Sequence, residues 1–185
     1  MFDLLCDDVH IIGCGRIGSN LAVSLIENNF PIRVLHLYDP DRIIKCDSKN
    51  ILFSDEDMCL GKYKVEYIRD YIDSNFDSHP IIHIHRILVD EKVKGSFVFD
   101  CRDRKDKKLS SNLKISLDDS ILILDSLQNK FVEDYHSYSL TEVQYVKQAM
   151  SFIIDYLKKE QYLIKRKILI DLNFNEEVIL LEENS

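Results

Sequence analysis

The chain has 185 residues, of which 45% are hydrophobic and 30% are charged, values ordinary for one globular domain. Its net charge of -8 argues against general binding to nucleic acid or to an anionic membrane. The five cysteines form no C-x-x-C pair, which argues against a zinc knuckle or a disulfide framework and favours the reducing cytoplasm. No apolar run approaches the roughly 20 residues of a membrane span and no signal peptide is visible. We therefore expect a soluble, cytoplasmic protein that binds neither membrane nor nucleic acid.

A glycine-rich turn lies between the first predicted strand and the first predicted helix. The apolar run 9–12 is followed by Gly13, Gly15 and Gly18 in G-x-G-x-x-G spacing, and then by an amphipathic segment. Such glycines allow a tight turn, a close approach of the backbone to a phosphate, and close packing of the helix on the strand. A second predicted strand ends in Asp39, about 20 residues further on, where these folds place a carboxylate for ribose hydroxyls. The spacing predicts a nucleotide-binding βαβ unit; the alternative is a similar unit whose glycines serve packing only.

The chain up to residue 125 continues to alternate strands and helices. The segment 43–57 has no sustained period, which is typical of a loop or short helix over a site. Continuous apolar strands alternating with helices predict a doubly wound, Rossmann-like, mostly parallel sheet with helices on both faces. Its ligand crevice should lie at the carboxyl ends of the first two strands. The predicted elements are a helix opening at 61–64, strands 81–88, 97–101 and 120–125, and a helix near 107–113.

The last 60 residues depart from this alternation. Residues 141–159 form a predicted helix with two adjacent apolar stripes, and residues 167–181 read as a hairpin. We expect a single domain, with a core at 1–125 and a C-terminal helix and hairpin extension at 126–185. One stripe can cover the sheet, so the second predicts a dimer, unless the hairpin covers it.

His83 and His85 lie two apart on the predicted strand 81–88 and therefore face the same side of the sheet. Two metal ligands could use this arrangement, but no third ligand is evident in the sequence. Unbonded surface or core histidines are the better interpretation.

Several further motifs follow in a fixed order. The G-x-G-x-x-G-S turn ends at Ser19, and Asp39-Pro40-Asp41 gives a D-x-D at the end of the second strand. Leu52-Phe53, Gly61-Lys62-Tyr63-Lys64 and Asp100-Cys101-Arg102-Asp103 come next. In this order and over about residues 9–125 the chain resembles the ThiF/MoeB family, which includes the adenylation domains of ubiquitin-activating enzymes.

The resemblance implies an ATP-dependent adenylyltransferase that activates the C-terminal carboxylate of a ubiquitin-like or sulfur-carrier protein, or of a peptide. It also implies a homodimer, or a heterodimer with a related subunit, and the cofactors ATP and Mg²⁺. The glycines Gly13, Gly15 and Gly18 would bind ATP together with Asp39, Asp41 and Lys64. The catalytic residues would be Lys49, Lys64 and Asp103, with Lys64 on the phosphates and Asp103 on the metal ion.

The chain also departs from the family pattern. Lys49-Asn50 replaces an Arg-Gln pair, Cys46 or Asp47 replaces an asparagine, and Arg104 replaces another. No cysteine follows Cys101, which we assign to packing, so a thioester step is not expected. Two alternatives therefore stay open: a catalytically impaired relative that acts as a scaffold or dimer partner, and an NAD-dependent dehydrogenase suggested by the glycines and Asp39 alone.

Overall fold

The structure is a computed structural model. It describes residues 7–45, 47, 50–53, 60–89, 93, 97–102, 109–118, 120–126, 143–160, 166–174 and 176–181. Three α-helices lie in these ranges: α1 (Arg16–Glu27), α2 (Lys64–Asn75) and α3 (Val143–Lys158), with a short 3-10 turn at Ile51–Phe53. The strands are β1 (Asp8–Ile12), β2 (Val34–Tyr38), β3 (Ile81–His85), β4 (Phe97–Asp100), β5 (Leu113–Asp118), β6 (Ile121–Asp125), β7 (Arg166–Asp171) and β8 (Glu176–Leu181).

All eight strands form one sheet in the order β3-β2-β1-β4-β5-β6-β7-β8. The pairs from β3 to β5 are parallel, and the pairs from β5 to β8 are antiparallel. The chain winds outward from β1 to β3, then returns to the other side of β1 and continues outward from β4. The sheet therefore has a topological switch point at β1, and the predicted Rossmann-like, mostly parallel α/β fold is confirmed.

The strand pattern decides which face the helices cover. Alternate residues such as Val9 and Ile11 point into one core, where they meet the buried stripes of α1, α2 and α3. Their neighbour Ile12 points to the opposite face and packs with Tyr38, Val89 and Val98 in a second, smaller cluster. The three described helices thus share one face of the sheet.

One predicted element is wrong where the structure describes it. The helix near 107–113 does not extend over 109–112, and Leu113 begins β5. Leu113, Ile115 and Leu117 are buried at every second position, a period that fits a strand and not a helix. The charged run at 102–108, shortly before β5, resembles the exposed face of a helix.

Helix α3 buries its wide apolar face within the chain, whereas the sequence predicted that one of its two stripes would contact a second subunit. Both stripes contact the chain's own core: Val146, Ala149 and Tyr156 are buried in it, and Phe152 packs against it. The helix contacts α1, and β7–β8 forms the predicted hairpin at the end of the sheet. The apolar width of α3 therefore no longer argues for a dimer. Within the described residues, none of the helices combines the length and apolar character that crossing a bilayer requires.

Candidate functional site

A cavity of about 280 Å³ opens at the carboxyl ends of β1, β2 and β4, at the switch point of the sheet. Its wall contains five of the residues assigned to ATP from the sequence: Gly13, Gly15, Asp39, Asp41 and Lys64. The rest of the wall is formed by residues that follow β3 and β4 and by the ends of β1 and β2, namely Ile12, Tyr38, Pro40, Ile87, Leu88, Val89, Cys101 and Arg102.

The protein's own packing requires two of the three glycines in this turn. Gly13 has a φ of 87°, and a Cβ there would lie 2.9 Å from the backbone nitrogen of Arg102. A Cβ on Gly18 would overlap the carbonyl oxygen of Gly13, so Gly18 lies beneath the turn and not in the cavity wall. A Cβ on Gly15, in contrast, would meet open space. Packing thus explains Gly13 and Gly18, while Gly15 leaves room for a ligand.

Helix α1 begins directly behind this turn. Gly15 is its N-cap residue and supplies no side-chain acceptor for the first N–H groups of the helix. Uncapped N–H groups at a helix N-terminus, reinforced by the helix dipole, attract an anion. Because Gly15 lines the cavity, the N-terminal end of α1 lies beside the cavity wall.

Asp39 is fixed by two backbone donors and is only 6% exposed. Its Oδ2 accepts a hydrogen bond of 2.7 Å from Cys14 N–H, and its Oδ1 accepts one of 2.8 Å from Asp41 N–H. Burial raises the pKa of Asp39, while the N–H of Asp41 and the cation of Lys64 act in the opposite direction. Each carboxylate oxygen has a second lone pair, so Asp39 can still accept hydrogen bonds from a ligand's hydroxyl groups.

Lys64 is the first residue of α2. Its N–H donates to the carbonyl of Asp41 at 3.0 Å, which fastens the start of the helix to the D-x-D segment. Its side chain is 12% exposed, and Nζ lies 3.4 Å from Asp47 Oδ1 and 4.0 Å from Asp41 Oδ2. A cation in the first turn of a helix is opposed by the helix dipole, so the two carboxylates offset an unfavourable position. The result is a positive charge in the cavity wall.

Asn50 fastens the loop after Asp47 to α1. It is 4% exposed; its Nδ2 donates to Ser19 Oγ at 2.8 Å, and its Oδ1 accepts from Asn20 Nδ2 at 2.8 Å. The sequence identified Asn50 only as a replacement for the family's glutamine and missed this contact. Lys49, Asp103 and Arg104 lie outside the described residues, so their predicted roles stay predictions.

Sequence reasoning also missed an ion pair under the cavity. Arg102 is 7% exposed, and its guanidinium donates to both oxygens of Asp100 at 2.8 and 3.0 Å and to the carbonyl of Val89 at 2.8 Å. The contact with Val89 ties the segment after β3 to the end of β4 and so shapes one cavity wall. An Asp at the end of a buried strand, with an Arg two residues later, is the signal that could have revealed this pair.

Histidines cluster on the sheet face opposite the helices. His83 and His85 do share a side, and the rings of His10 and His36 stack at 4.3 Å. His36 Nδ1 lies 3.1 Å from His85 Nε2, and His10 Nδ1 forms a hydrogen bond of 3.0 Å with Tyr38 Oη. The prediction of unbonded histidines is therefore wrong for His85. No group of three histidine, cysteine or acidic side chains arranged to hold a metal ion occurs among the described residues.

Comparison with solved structures identifies the fold. A selenomethionine structure of PaaA superposes with a TM-score of 0.66 at 15% identity, covering 95% of this chain and 64% of PaaA. Escherichia coli MccB with selenomethionine MccA superposes at 0.67 and 16% identity, covering 98% of this chain and 65% of MccB. MccB with ATP superposes at 0.63 and 15% identity. The chain shares their fold.

The likeness is limited in sequence and in length. A scan against protein-family models gives no match, and a search of the curated proteins gives none either. The chain spans 64% of PaaA and 65% of MccB, so it corresponds to about two thirds of either protein. At this identity the comparison shows the fold alone.

Proposed function

We propose that the chain is an ATP-dependent adenylyltransferase that activates the C-terminal carboxylate of a peptide, or of a ubiquitin-like or sulfur-carrier protein. The observation that carries this proposal is the convergence of Asp39, Lys64 and Gly15, the N-cap residue of α1, on one cavity. Structures of E. coli MccB with ATP, and with AMPCPP and MccA, support an ATP site and a peptide acceptor.

The cavity wall fits the parts of ATP. Asp39 offers lone pairs to ribose hydroxyls, and Lys64 offers a cation to the phosphates. The open space at Gly15 admits a phosphate close to the backbone, beside the first N–H groups of α1. The apolar segment at Ile87 and Val89 is available to the base.

In the proposed reaction, a carboxylate oxygen of the acceptor attacks the α-phosphorus, an acyl–phosphate bond forms, and pyrophosphate leaves. A carboxylate is ionised at neutral pH, so no general base is required. Negative charge on the phosphate oxygens would be stabilised by Lys64 and Lys49. Mg²⁺, assigned to Asp103 by the resemblance, would neutralise further charge on the phosphates.

We also propose where the chain acts, how it is organised and what it pairs with. The chain would act in the cytoplasm as a single domain, with a core at 1–125 and an extension at 126–185. It would pair with a second copy or with a related subunit, without nucleic acid or membrane.

The test is acceptor-dependent exchange of pyrophosphate into ATP, together with calorimetric titration of MgATP and of NAD. Lys64→Met should lower the exchange rate about a hundredfold, because a phosphate-binding cation contributes on the order of 3 kcal/mol to the barrier. Lys147→Met, an exposed lysine on α3, is the matched control and should leave the rate unchanged. Binding of NAD in place of MgATP would favour the dehydrogenase.

A scaffold role is the second candidate, and Asn50 favours it. Its amide is engaged by Ser19 and Asn20 and so is not directed to a ligand. A scaffold would bind MgATP or an acceptor but give no exchange. Lys49→Arg separates the two candidates, since a restored guanidinium should raise the exchange rate of an impaired enzyme and should do nothing in a scaffold.

A further inference from the structure

Asp47 lies beside the cavity in a turn made by its own loop. Its Oδ2 accepts a hydrogen bond from Ile44 N–H at 2.9 Å, and its N–H donates to the carbonyl of Ile44 at 2.8 Å. Its carbonyl accepts from Asn50 N–H at 2.8 Å, and Asn50 is itself fastened to α1. These bonds hold the carboxylate in place, because a side chain that caps its own turn has little rotamer freedom.

The other carboxylate oxygen of Asp47 faces Lys64. The distance from Oδ1 to Nζ is 3.4 Å, and the two side chains are 20% and 12% exposed, so water screens the pair poorly. Asp41 is further from Nζ, at 4.0 Å, and its side chain is 69% exposed. Of the two carboxylates that form ion pairs with Lys64 in the described part of the chain, Asp47 is therefore the nearer and the less exposed.

We propose that Asp47 is a competing counter-ion that limits the affinity of the site for polyphosphate. This inference rests on the proposed function in taking Lys64 as a phosphate ligand. A phosphate oxygen in hydrogen-bond contact with Nζ would lie within about 6 Å of Asp47 Oδ1, given the usual bond length. Like charges at that separation repel enough to raise a dissociation constant by about three- to tenfold.

The test compares Asp47→Asn with the unaltered chain, with inorganic tripolyphosphate as the calorimetric probe. An asparagine keeps a side-chain oxygen for Ile44 N–H and removes the charge. We expect the dissociation constant to fall about three- to tenfold, and the gain to shrink as salt is added. The matched control is Asp70→Asn, an exposed carboxylate on α2 that pairs with Arg69, which changes the net charge equally and should leave binding unchanged.

Equal or weaker binding of tripolyphosphate by Asp47→Asn than by the unaltered chain would overturn the inference. The inference would also be overturned if tripolyphosphate bound to neither protein. Binding of tripolyphosphate without binding of MgATP would overturn the proposed function instead. Asp47→Ser, whose hydroxyl can also accept the Ile44 N–H, repeats the comparison if the asparagine variant does not fold.

Discussion

Two buried aspartates lie at the carboxyl ends of β2 and β4, the strands on either side of β1, yet their surroundings differ. Asp39 follows β2 and is 6% exposed; Asp100 ends β4 and is 2% exposed. Asp39 is held by two backbone N–H groups, whereas Asp100 accepts from one backbone N–H and from the guanidinium of Arg102 and lies 3.6 Å from Lys114 Nζ.

The partners decide what each carboxylate can do. Backbone N–H groups fix the position of Asp39 without cancelling its charge, which stays available in the cavity wall. The fork of Arg102 occupies both oxygens of Asp100 and neutralises it, which suits a structural role. Burial at the correct edge of the sheet is therefore not enough to mark a binding residue. The first expectation is that Asp100 matters for stability and Asp39 for ligand binding.

Removing Arg102 should have the largest effect. Of the described partners, Arg102→Met leaves buried Asp100 with Lys114 and the backbone N–H of residue 102, and it should lower the free energy of unfolding by about 3–5 kcal/mol. Urea unfolding measures this loss. Arg102→Lys keeps a positive charge without the bidentate guanidinium. Its free energy of unfolding should lie between those of the unaltered chain and of Arg102→Met. A loss below about 1 kcal/mol for Arg102→Met would show that Asp100 does not depend on the pair.

The strand between the two aspartates carries a third buried ionisable group, His10, which is kept neutral. Burial, assisted by His36, lowers the pKa of His10 from 6.5 to about 4, so below pH 6.5 the unfolded chain binds a proton that the folded chain does not. The contribution of neutral His10 to the free energy of unfolding is therefore complete above pH 6.5. As the pH falls towards 4, the free energy of unfolding decreases by about 3 kcal/mol. Asp39 does not cause this loss, because its raised pKa favours the folded state at low pH.

Urea unfolding between pH 7.5 and 4.5 tests this dependence. His10→Gln keeps a hydrogen-bonding partner for Tyr38 and removes the titrating ring, so its stability should fall less steeply with acid. A residual slope is expected from His36 and His85, whose pKa values burial also lowers. Parallel curves for the two proteins would contradict the role of His10.

The sequence predicted what depends on local pattern. The glycine spacing and the position of Asp39 sufficed to place the cavity at the ends of β1 and β2, and apolar runs located most strands. The contacts that distinguish Asp39 from Asp100 were not predictable, because they join residues whose spatial relation depends on the fold: Val89 reaches Arg102, and Asp47 reaches Lys64. Strand β5 was missed although its alternation is local, since a neighbouring charged run suggested a helix.

Asp39→Asn should weaken the binding of a nucleotide. The amide removes the charge, and its single oxygen cannot accept from Cys14, from Asp41 and from a ribose hydroxyl at once. MgATP should therefore bind about ten- to hundredfold more weakly, a loss of about 1.5–3 kcal/mol in binding free energy. Calorimetry measures the affinity. Asp70→Asn, with the same change in net charge, should bind as the unaltered chain does. Unchanged affinity in Asp39→Asn would place the nucleotide elsewhere.

The smallest effect is expected at Lys114, the outer partner of Asp100. Its side chain is 39% exposed and its Nζ is 3.6 Å from Asp100 Oδ2, so water screens much of the attraction. Lys114→Met should lower the free energy of unfolding by no more than about 1 kcal/mol, well below the loss for Arg102→Met. Each variant removes one positive charge that lies beside Asp100. Comparing their urea unfolding therefore isolates the contribution of burial and bidentate geometry. Equal losses of unfolding free energy would mean that any nearby cation stabilises Asp100 to the same extent, and that the bidentate geometry of Arg102 contributes nothing more.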